Sequence, residues 1–167
     1  PWRAPVAGIL VVAALLGYGA MRLALYPTEF VKDVKLRIMQ PNLPQDEKFN
    51  YVAKDAVMER YLRLSDRAAG PTSSGVRDVT HLIWPESAFP FFLTREADAL
   101  AQIAALLSGG TVLITGAIRA PEGATGTITR ADNSVYVIDR TGSIQSVYDK
   151  VHLVPFGEYL PFQALLE

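Results

Sequence analysis

A lysine, a histidine and a glutamate share one apolar, proline-punctuated stretch near the end of the chain: Lys150-Val151-His152-Leu153-Val154-Pro155-Phe156-Gly157-Glu158-Tyr159-Leu160-Pro161. A second unusual phrase, Ile83-Trp84-Pro85-Glu86-Ser87-Ala88, puts a lone carboxylate in an equally apolar setting upstream. A glutamate and a lysine brought together from two strand ends make an acid/base pair. Apolar surroundings raise a carboxyl pKa, which would suit Glu86 to general-base work near neutral pH. Lys150 would offer an ammonium to a developing oxyanion. Glu158 is either a second carboxylate that orients the pair or an acceptor for backbone N–H groups of its own loop.

Each of these residues also has a plainer reading. Glu86 could be a solvated loop residue or a cap for the next turn. Lys150 could be a surface lysine paired with Asp149 or Asp132. His152 reads as a packed, hydrogen-bonded loop residue rather than a base, because no nucleophile stands near it in sequence. His81 opens a strand and reads as structural. Asn133-Ser134 is either a turn or a pair lining the site.

Composition excludes several classes. The 167 residues contain no cysteine, so disulfides, thiolate metal sites and a cysteine nucleophile are absent from this sequence. Two histidines do not suggest a His-rich metal site, and neither a metal nor an organic cofactor is expected. With 16 basic and 17 acidic residues the net charge is −1, and a nucleic-acid partner, which needs a basic surplus, is not expected. Neither Gly109-Gly110 nor the glycines at 123 and 126 fit a phosphate-binding or dinucleotide motif.

The candidate residues must be positioned by alternating strands and helices. Val34 to Gln40 alternates apolar and polar residues as a half-buried strand does. Residues 46–68 carry apolar positions at helical spacing: Phe49, Ala53, Val57, Tyr61, Leu64 and Ala68. A loop at 70–75 leads to a short strand, His81 to Trp84, stopped by Pro85. Thr94 is placed to cap a second helix with Ala97, Leu100, Ile103, Ala104 and Leu107 on one face, ended by Gly109-Gly110. Thr111 to Thr115 is strongly β-prone and ends at Gly116. Residues 119–130 read as a flexible connection. Ser134–Ile138 and Ser143–Tyr148 read as strands joined by the turn Asp139-Arg140-Thr141-Gly142. The order β-α-β-α-β-β-β predicts an α/β layered domain, whose functional residues gather at strand carboxyl ends.

Ahead of this domain, Ala4 to Met21 is 18 residues without a charge, bracketed by Arg3 and Arg22. That length spans a bilayer core, and Gly8, Gly17 and Gly19 are tolerated in membrane helices. A signal peptide fits less well, since Ala20-Met21-Arg22 is a poor cleavage site. Arg22, Lys32, Lys35 and Arg37 follow the span against Arg3 before it, which by charge bias puts the following domain in the cytoplasm. Large domains escape that rule. The chain opens on proline and closes on the helix-like start Phe162 to Glu167, and is read as a fragment.

These residues carry a family resemblance. Leu36-Arg37-Ile38-Met39-Gln40-Pro41-Asn42-Leu43-Pro44-Gln45 resembles the first strand and loop of the nitrilase-like domain in apolipoprotein N-acyltransferases. Trp84-Pro85-Glu86-Ser87 resembles that family's general-base motif. Tyr148-Asp149-Lys150 through Leu160-Pro161 resembles its lysine motif, and this long match is very specific. The resemblance covers nearly the whole chain. It implies the first half of a nitrilase-like α-β-β-α sandwich over 27–167, incomplete at its C-terminus, preceded by a transmembrane helix and flank over 1–26. It implies that Glu86 is the general base, Lys150 the oxyanion-stabilising lysine and Glu158 a further glutamate near the site. It implies a cysteine nucleophile beyond this sequence, so the chain alone would not turn over.

The implied partners are a phospholipid acyl donor, an apolipoprotein acceptor and the membrane. The implied location is the bacterial inner membrane with the domain facing the periplasm, and this reading is preferred to the charge bias. One departure is Lys48-Phe49, where the family is expected to carry a tryptophan. Two other functions share parts of the pattern. A carbon–nitrogen hydrolase of small amides or nitriles would use the same Glu-Lys-Cys logic but should lack the span at 4–21. A non-catalytic membrane-anchored remnant would have a reading frame that stops near Glu167.

Overall fold

The computed structural model describes residues 2–44, 50–107, 109–120 and 131–161. The chain divides into two compact units, Pro1–Asp33 and Val34–Glu167. The first is helix α1, Arg3–Leu25, of 23 residues. It is long and apolar enough to cross a membrane, and none of its residues is buried in protein. Its low amphipathicity follows from the sequence: apolar side chains occur all round the helix, as lipid requires and an aqueous surface does not.

The second unit is built on a sheet in the order β1-β2-β3-β4-β5. Strand β1 is Leu36–Ile38, β2 His81–Ile83, β3 Val112–Arg119, β4 Asp132–Ile138 and β5 Ile144–Asp149. The first three are mutually parallel. β4 runs antiparallel to β3, and β5 antiparallel to β4. Helix α2, Lys54–Ser65, connects β1 to β2, and α3, Ala97–Leu107, connects β2 to β3. Two crossovers of the same hand, stepping in the same direction across the sheet, leave both helices on one face.

That face holds the core. Val57, Met58 and Tyr61 of α2 and Ala99, Ile103 and Leu107 of α3 join Leu82, Leu113, Tyr136 and Ile138 of the sheet in one buried cluster. Trp84 enters it just past β2. Its ring centroid lies 4.7 Å from that of Tyr61 and 5.6 Å from that of Phe89. The indole Nε1 donates to Ser65 Oγ at 2.9 Å, so the one polar atom of the ring is satisfied in the core. Thr111 is buried because its hydroxyl donates to the carbonyls of Val76 and Val79 at 3.0 and 2.8 Å, tying β3 to the 3-10 turn Gly75–Asp78.

Several local expectations change. The strand expected over 34–40 is confined to Leu36–Ile38. The helix expected over 46–68 is a 3-10 turn at Tyr51–Ala53 followed by α2; Phe49 and Lys48 lie outside the described residues. Met58 and Ser65 are buried in α2, whereas Leu64 is half-buried and Ala68 exposed, because the helix stops at Ser65. Thr94 does not cap α3: it sits inside a separate 3-10 turn, Leu93–Arg95, two residues short of the helix. Ala97 faces solvent. Gly116 does not end β3, which runs on to Arg119, since its amide and carbonyl both find partners in the Pro85–Ala88 segment. Residues 121–130 and 162–167 lie outside the described residues.

Among the described residues of this second unit, none covers the opposite face of the sheet. Leu36, Ile38, Val135 and Tyr148 are exposed there, and Ile83, Ile114 and Val137 are half-buried. A contiguous apolar surface of this kind favours self-association. Residues 27–167 expressed alone are therefore expected to aggregate or to bind a hydrophobic dye. A sharp, cooperative thermal transition without dye binding would overturn this.

Candidate active site

The parallel and antiparallel pairings bring three chain segments to one edge of the uncovered face. They are the end of β2, the start of β4 and the end of β5. Glu86 follows β2, Asn133 is the second residue of β4, and Lys150 follows β5. Alternation along the strands puts the side chains of Asn133 and Lys150 on the uncovered face, and Lys150 N donates to Asn133 O at 2.8 Å.

Glu86 reaches this face by a tight crossing. After Trp84 the backbone passes directly over Gly116: Gly116 N donates to Pro85 O at 3.2 Å, and Ala88 N to Gly116 O at 2.9 Å. A Cβ on residue 116 would lie 2.6 Å from Glu86 Cα and 2.9 Å from Pro85 O, distances that backbone atoms cannot accept. The turn is completed by Ser87 in the left-handed region, at φ 49°. Only glycine at 116 lets the Trp84-Pro85-Glu86 segment send its indole into the core and its carboxylate to the other side.

The contacts form a row of charges. Lys150 Nζ lies 2.6 Å from Glu158 Oε1 and 3.4 Å from Glu86 Oε1. Asn133 Nδ2 donates to Glu86 Oε1. The second oxygen of Glu158 accepts from Val154 N at 2.7 Å, while Glu158 N donates back to Val154 O at 2.9 Å. Glu158 thus makes two contacts at once: one oxygen meets the lysine and the other closes its own loop. The bend needs a left-handed residue at Phe156, φ 63°, whose amide donates to Tyr159 O at 2.7 Å.

The hydrogen bond to Glu158, aided by the charge of Glu86, holds the Lys150 pKa above the ordinary lysine value. The same bond, with the Val154 amide, holds the Glu158 pKa below the ordinary glutamate value. Lys150 is therefore an ammonium donor at neutral pH and not a base. Beside it opens a pocket of about 420 Å³, floored by Ile83, Ile114, Val135 and Tyr148 with Glu86, Asn133 and Lys150 on its wall. The arrangement can hold an acyl group against apolar residues, accept a proton on Glu86 and stabilise negative charge at Lys150.

Some sequence expectations fail here. The Glu86 side chain is 61% exposed; the apolar residues around it in sequence, Trp84, Ala88, Phe89 and Phe91, turn into the core instead. Among the described contacts Lys150 pairs with Glu86 and Glu158, two carboxylates other than the Asp149 and Asp132 of the plainer reading. His152 is exposed rather than packed. His81 is half-buried at the start of β2, with Nδ1 2.8 Å from Thr80 Oγ1. Asn133 lines the site while its neighbour Ser134 is buried on the other face. The sequence left Asn133 open between a turn and the site and read Gly116 only as a strand end, because their roles depend on register between segments distant in sequence.

The chain is similar to curated proteins over nearly its whole length. It is 66% identical over 167 residues to an apolipoprotein N-acyltransferase of Bradyrhizobium diazoefficiens, covering 99% of this chain and 31% of that protein. It is 65% identical to one of Rhodopseudomonas palustris, with the same coverage, and 45% identical to one of Allorhizobium ampelinum over 161 residues, or 96% of this chain and 30% of that protein. The resemblance read from the motifs is borne out, and the chain spans about a third of the length of these relatives. No family model matches the chain. Among solved structures, a mutant amidase from Nesterenkonia sp. AN1 in complex with butyramide has a TM-score of 0.44 at 18% identity, covering 73% of this chain and 44% of its own. A carbon-nitrogen hydrolase from Helicobacter pylori G27 has a TM-score of 0.43 at 18% identity, covering 75% and 42%.

Two outcomes are expected from this geometry. Gly116→Ala should destabilise the full-length protein by about 1–3 kcal/mol and displace Glu86 from Lys150. Thermal unfolding and a structure of the variant check this, and an unshifted Glu86 would refute it. The pKa shifts also set a pH window. Glu158's contribution is present above the ordinary glutamate pKa and is lost as pH falls through its depressed folded value. Lys150's contribution is present below the ordinary lysine pKa and is lost as pH rises through its raised value. The contact therefore persists through neutral pH. Lys150→Met should return the Glu158 titration toward the ordinary range, as read by carboxyl carbon NMR. An unchanged midpoint would leave the Val154 amide as the sole cause of the shift.

Proposed function

We propose that this chain is part of a membrane-bound N-acyltransferase that moves a fatty acyl group from a phospholipid to the N-terminal diacylglyceryl-cysteine of apolipoproteins. The observation that carries the reading is the Lys150 ammonium, held between Glu86 and Glu158 at the mouth of an apolar pocket. The names of relatives 66% and 65% identical to the chain supply the acyl-transfer class and the acceptor. A membrane association fits the apolar helix α1. By the resemblance, α1 crosses the inner membrane and the catalytic unit faces the periplasm.

The chemistry follows from the site, with the thiol supplied by a residue outside this sequence. Glu86 accepts the thiol proton as sulfur attacks the phospholipid ester carbonyl. Charge gathers on the carbonyl oxygen, where the Lys150 ammonium stabilises it. Collapse of the adduct breaks the ester C–O bond; the proton returns to the leaving alkoxide, and a lysophospholipid departs. The acceptor α-amine then attacks the thioester, Glu86 takes its proton, the C–S bond breaks and the thiol is regenerated. The two half-reactions make this ping-pong catalysis. Lys150 keeps its proton throughout, because Glu158 holds it charged.

The test is acyl transfer by the full-length protein in mixed micelles of phospholipid and a diacylglyceryl-cysteine peptide, followed by the mass gain of the peptide. Glu86→Gln and Lys150→Met are each expected to lower kcat/KM by roughly 100-fold or more. A wild-type protein that hydrolyses small amides but never acylates the peptide would overturn the reading. So would either variant that retains near-normal transfer.

A further inference from the structure

The face of the sheet opposite the site carries a second polar network at the same edge. Asp149 is the last residue of β5, and Lys150 is the next. Among the described residues β5 is an edge strand, joined to the sheet through β4 alone. Strand ends at a sheet edge open more readily than any interior rung, so the residue that must hold Lys150 stands where the ladder is weakest.

Among the described residues, the side chains of Arg119 and Ser134 converge on Asp149 there. Arg119, the last residue of β3, reaches past β4 to Asp149, two strand spacings or about 10 Å away across the sheet. Its Nε donates to Asp149 Oδ1 at 2.8 Å and its Nη2 to Oδ2, a two-pronged pairing that orients the carboxylate as well as attracting it. Ser134 Oγ, from the intervening strand β4, donates to the same Oδ1 at 2.6 Å. One carboxylate thus ties the ends of β3, β4 and β5 together. The network lies at the rim of the core, two rungs from the fully buried Tyr136.

Successive side chains on a strand point to opposite faces. Holding Asp149 on the helix-covered face therefore sets the direction in which Lys150 leaves the backbone on the other. We propose that the Arg119–Asp149–Ser134 network is a positioning device for Lys150, keeping the end of β5 docked so that Nζ reaches Glu158 and Glu86. The importance of this device for acyl transfer rests on the role given to Lys150 above; the geometric claim does not. Arg119 acts through Asp149 and touches neither carboxylate of the site. A lysine at 119 would keep the charge but lose the fork.

The experiment uses the full-length protein and reads Lys150 directly. Folded wild type and the variants Arg119→Met, Arg119→Lys and Ser134→Ala are treated with a limiting amine-acetylating reagent, and modification of Lys150 is followed by mass spectrometry relative to Lys32. A lysine released from its carboxylate partners loses its raised pKa and reacts faster. Arg119→Met is expected to raise Lys150 modification by roughly threefold or more, with Arg119→Lys and Ser134→Ala between it and wild type. In the transfer assay, kcat should fall with KM unchanged.

If Arg119→Met lowers Tm while Lys150 reacts as in wild type, the network is only a structural brace and the proposal is overturned. Should that variant not fold, Ser134→Ala carries the decision: a raised rate supports the device, and a wild-type rate overturns it. Absence of acyl transfer in the wild type would defeat the functional reading alone, since the labelling rates would still decide this one.

Discussion

Lys150 Nζ stands 2.6 Å from Glu158 and 3.4 Å from Glu86, and everything else at the site follows from keeping it there. An ammonium between two carboxylates remains charged, so it can donate to a developing oxyanion and cannot serve as a base. In the proposed mechanism the proton acceptor is Glu86, which is held by Asn133 as well as by the lysine. Three stretches of chain, those holding Glu86, Asn133 and Lys150, must meet within hydrogen-bonding distance for this to occur.

The sheet brings about that meeting through its mixed topology. β2 and β5 run in the same direction and β4 runs against them. Two strand ends and one strand start therefore share an edge, and Glu86, Lys150 and Asn133 come from those three points. The segment after β2 still has to cross from the core to the open face. It does so over the bare backbone of Gly116, where a side chain would occupy the space of Glu86 Cα. One missing methyl group thus connects the packing of Trp84 to the placement of the neighbouring carboxylate.

The two faces of the sheet have different work. One is sealed by α2 and α3 around Tyr61, Trp84 and Phe89, with the indole hydrogen-bonded to Ser65. Close packing there makes the sheet a rigid support. The other face is apolar and, among the described residues of this unit, open; it holds the pocket and the charged row. Rigidity on one side and access on the other let short loops carry polar groups at defined spacing. The loop from Val151 to Pro161 achieves its own spacing through Glu158, which is bonded to both its loop backbone and Lys150.

Much of this could be read from the chain alone. The apolar span, the alternation of strands and helices, the turn at Asp139–Gly142 and the two motif phrases are local patterns, and their periodicity or composition reflects forces acting between residues near in sequence. The candidates Glu86, Lys150 and Glu158 were visible for the same reason: charged groups in apolar, proline-rich phrases are unusual. What tertiary structure alone decided was which face each residue occupies and which distant residue it meets. Glu86 proved exposed although its neighbours are apolar, because the chain turns sharply at Ser87 and sends Trp84 and Glu86 to opposite sides of the sheet. Asn133 became a partner of Glu86, and Asp149 of Arg119, through strand register. Register arises from the summed packing and hydrogen bonding of whole strands, and no local pattern at a single residue contains that sum.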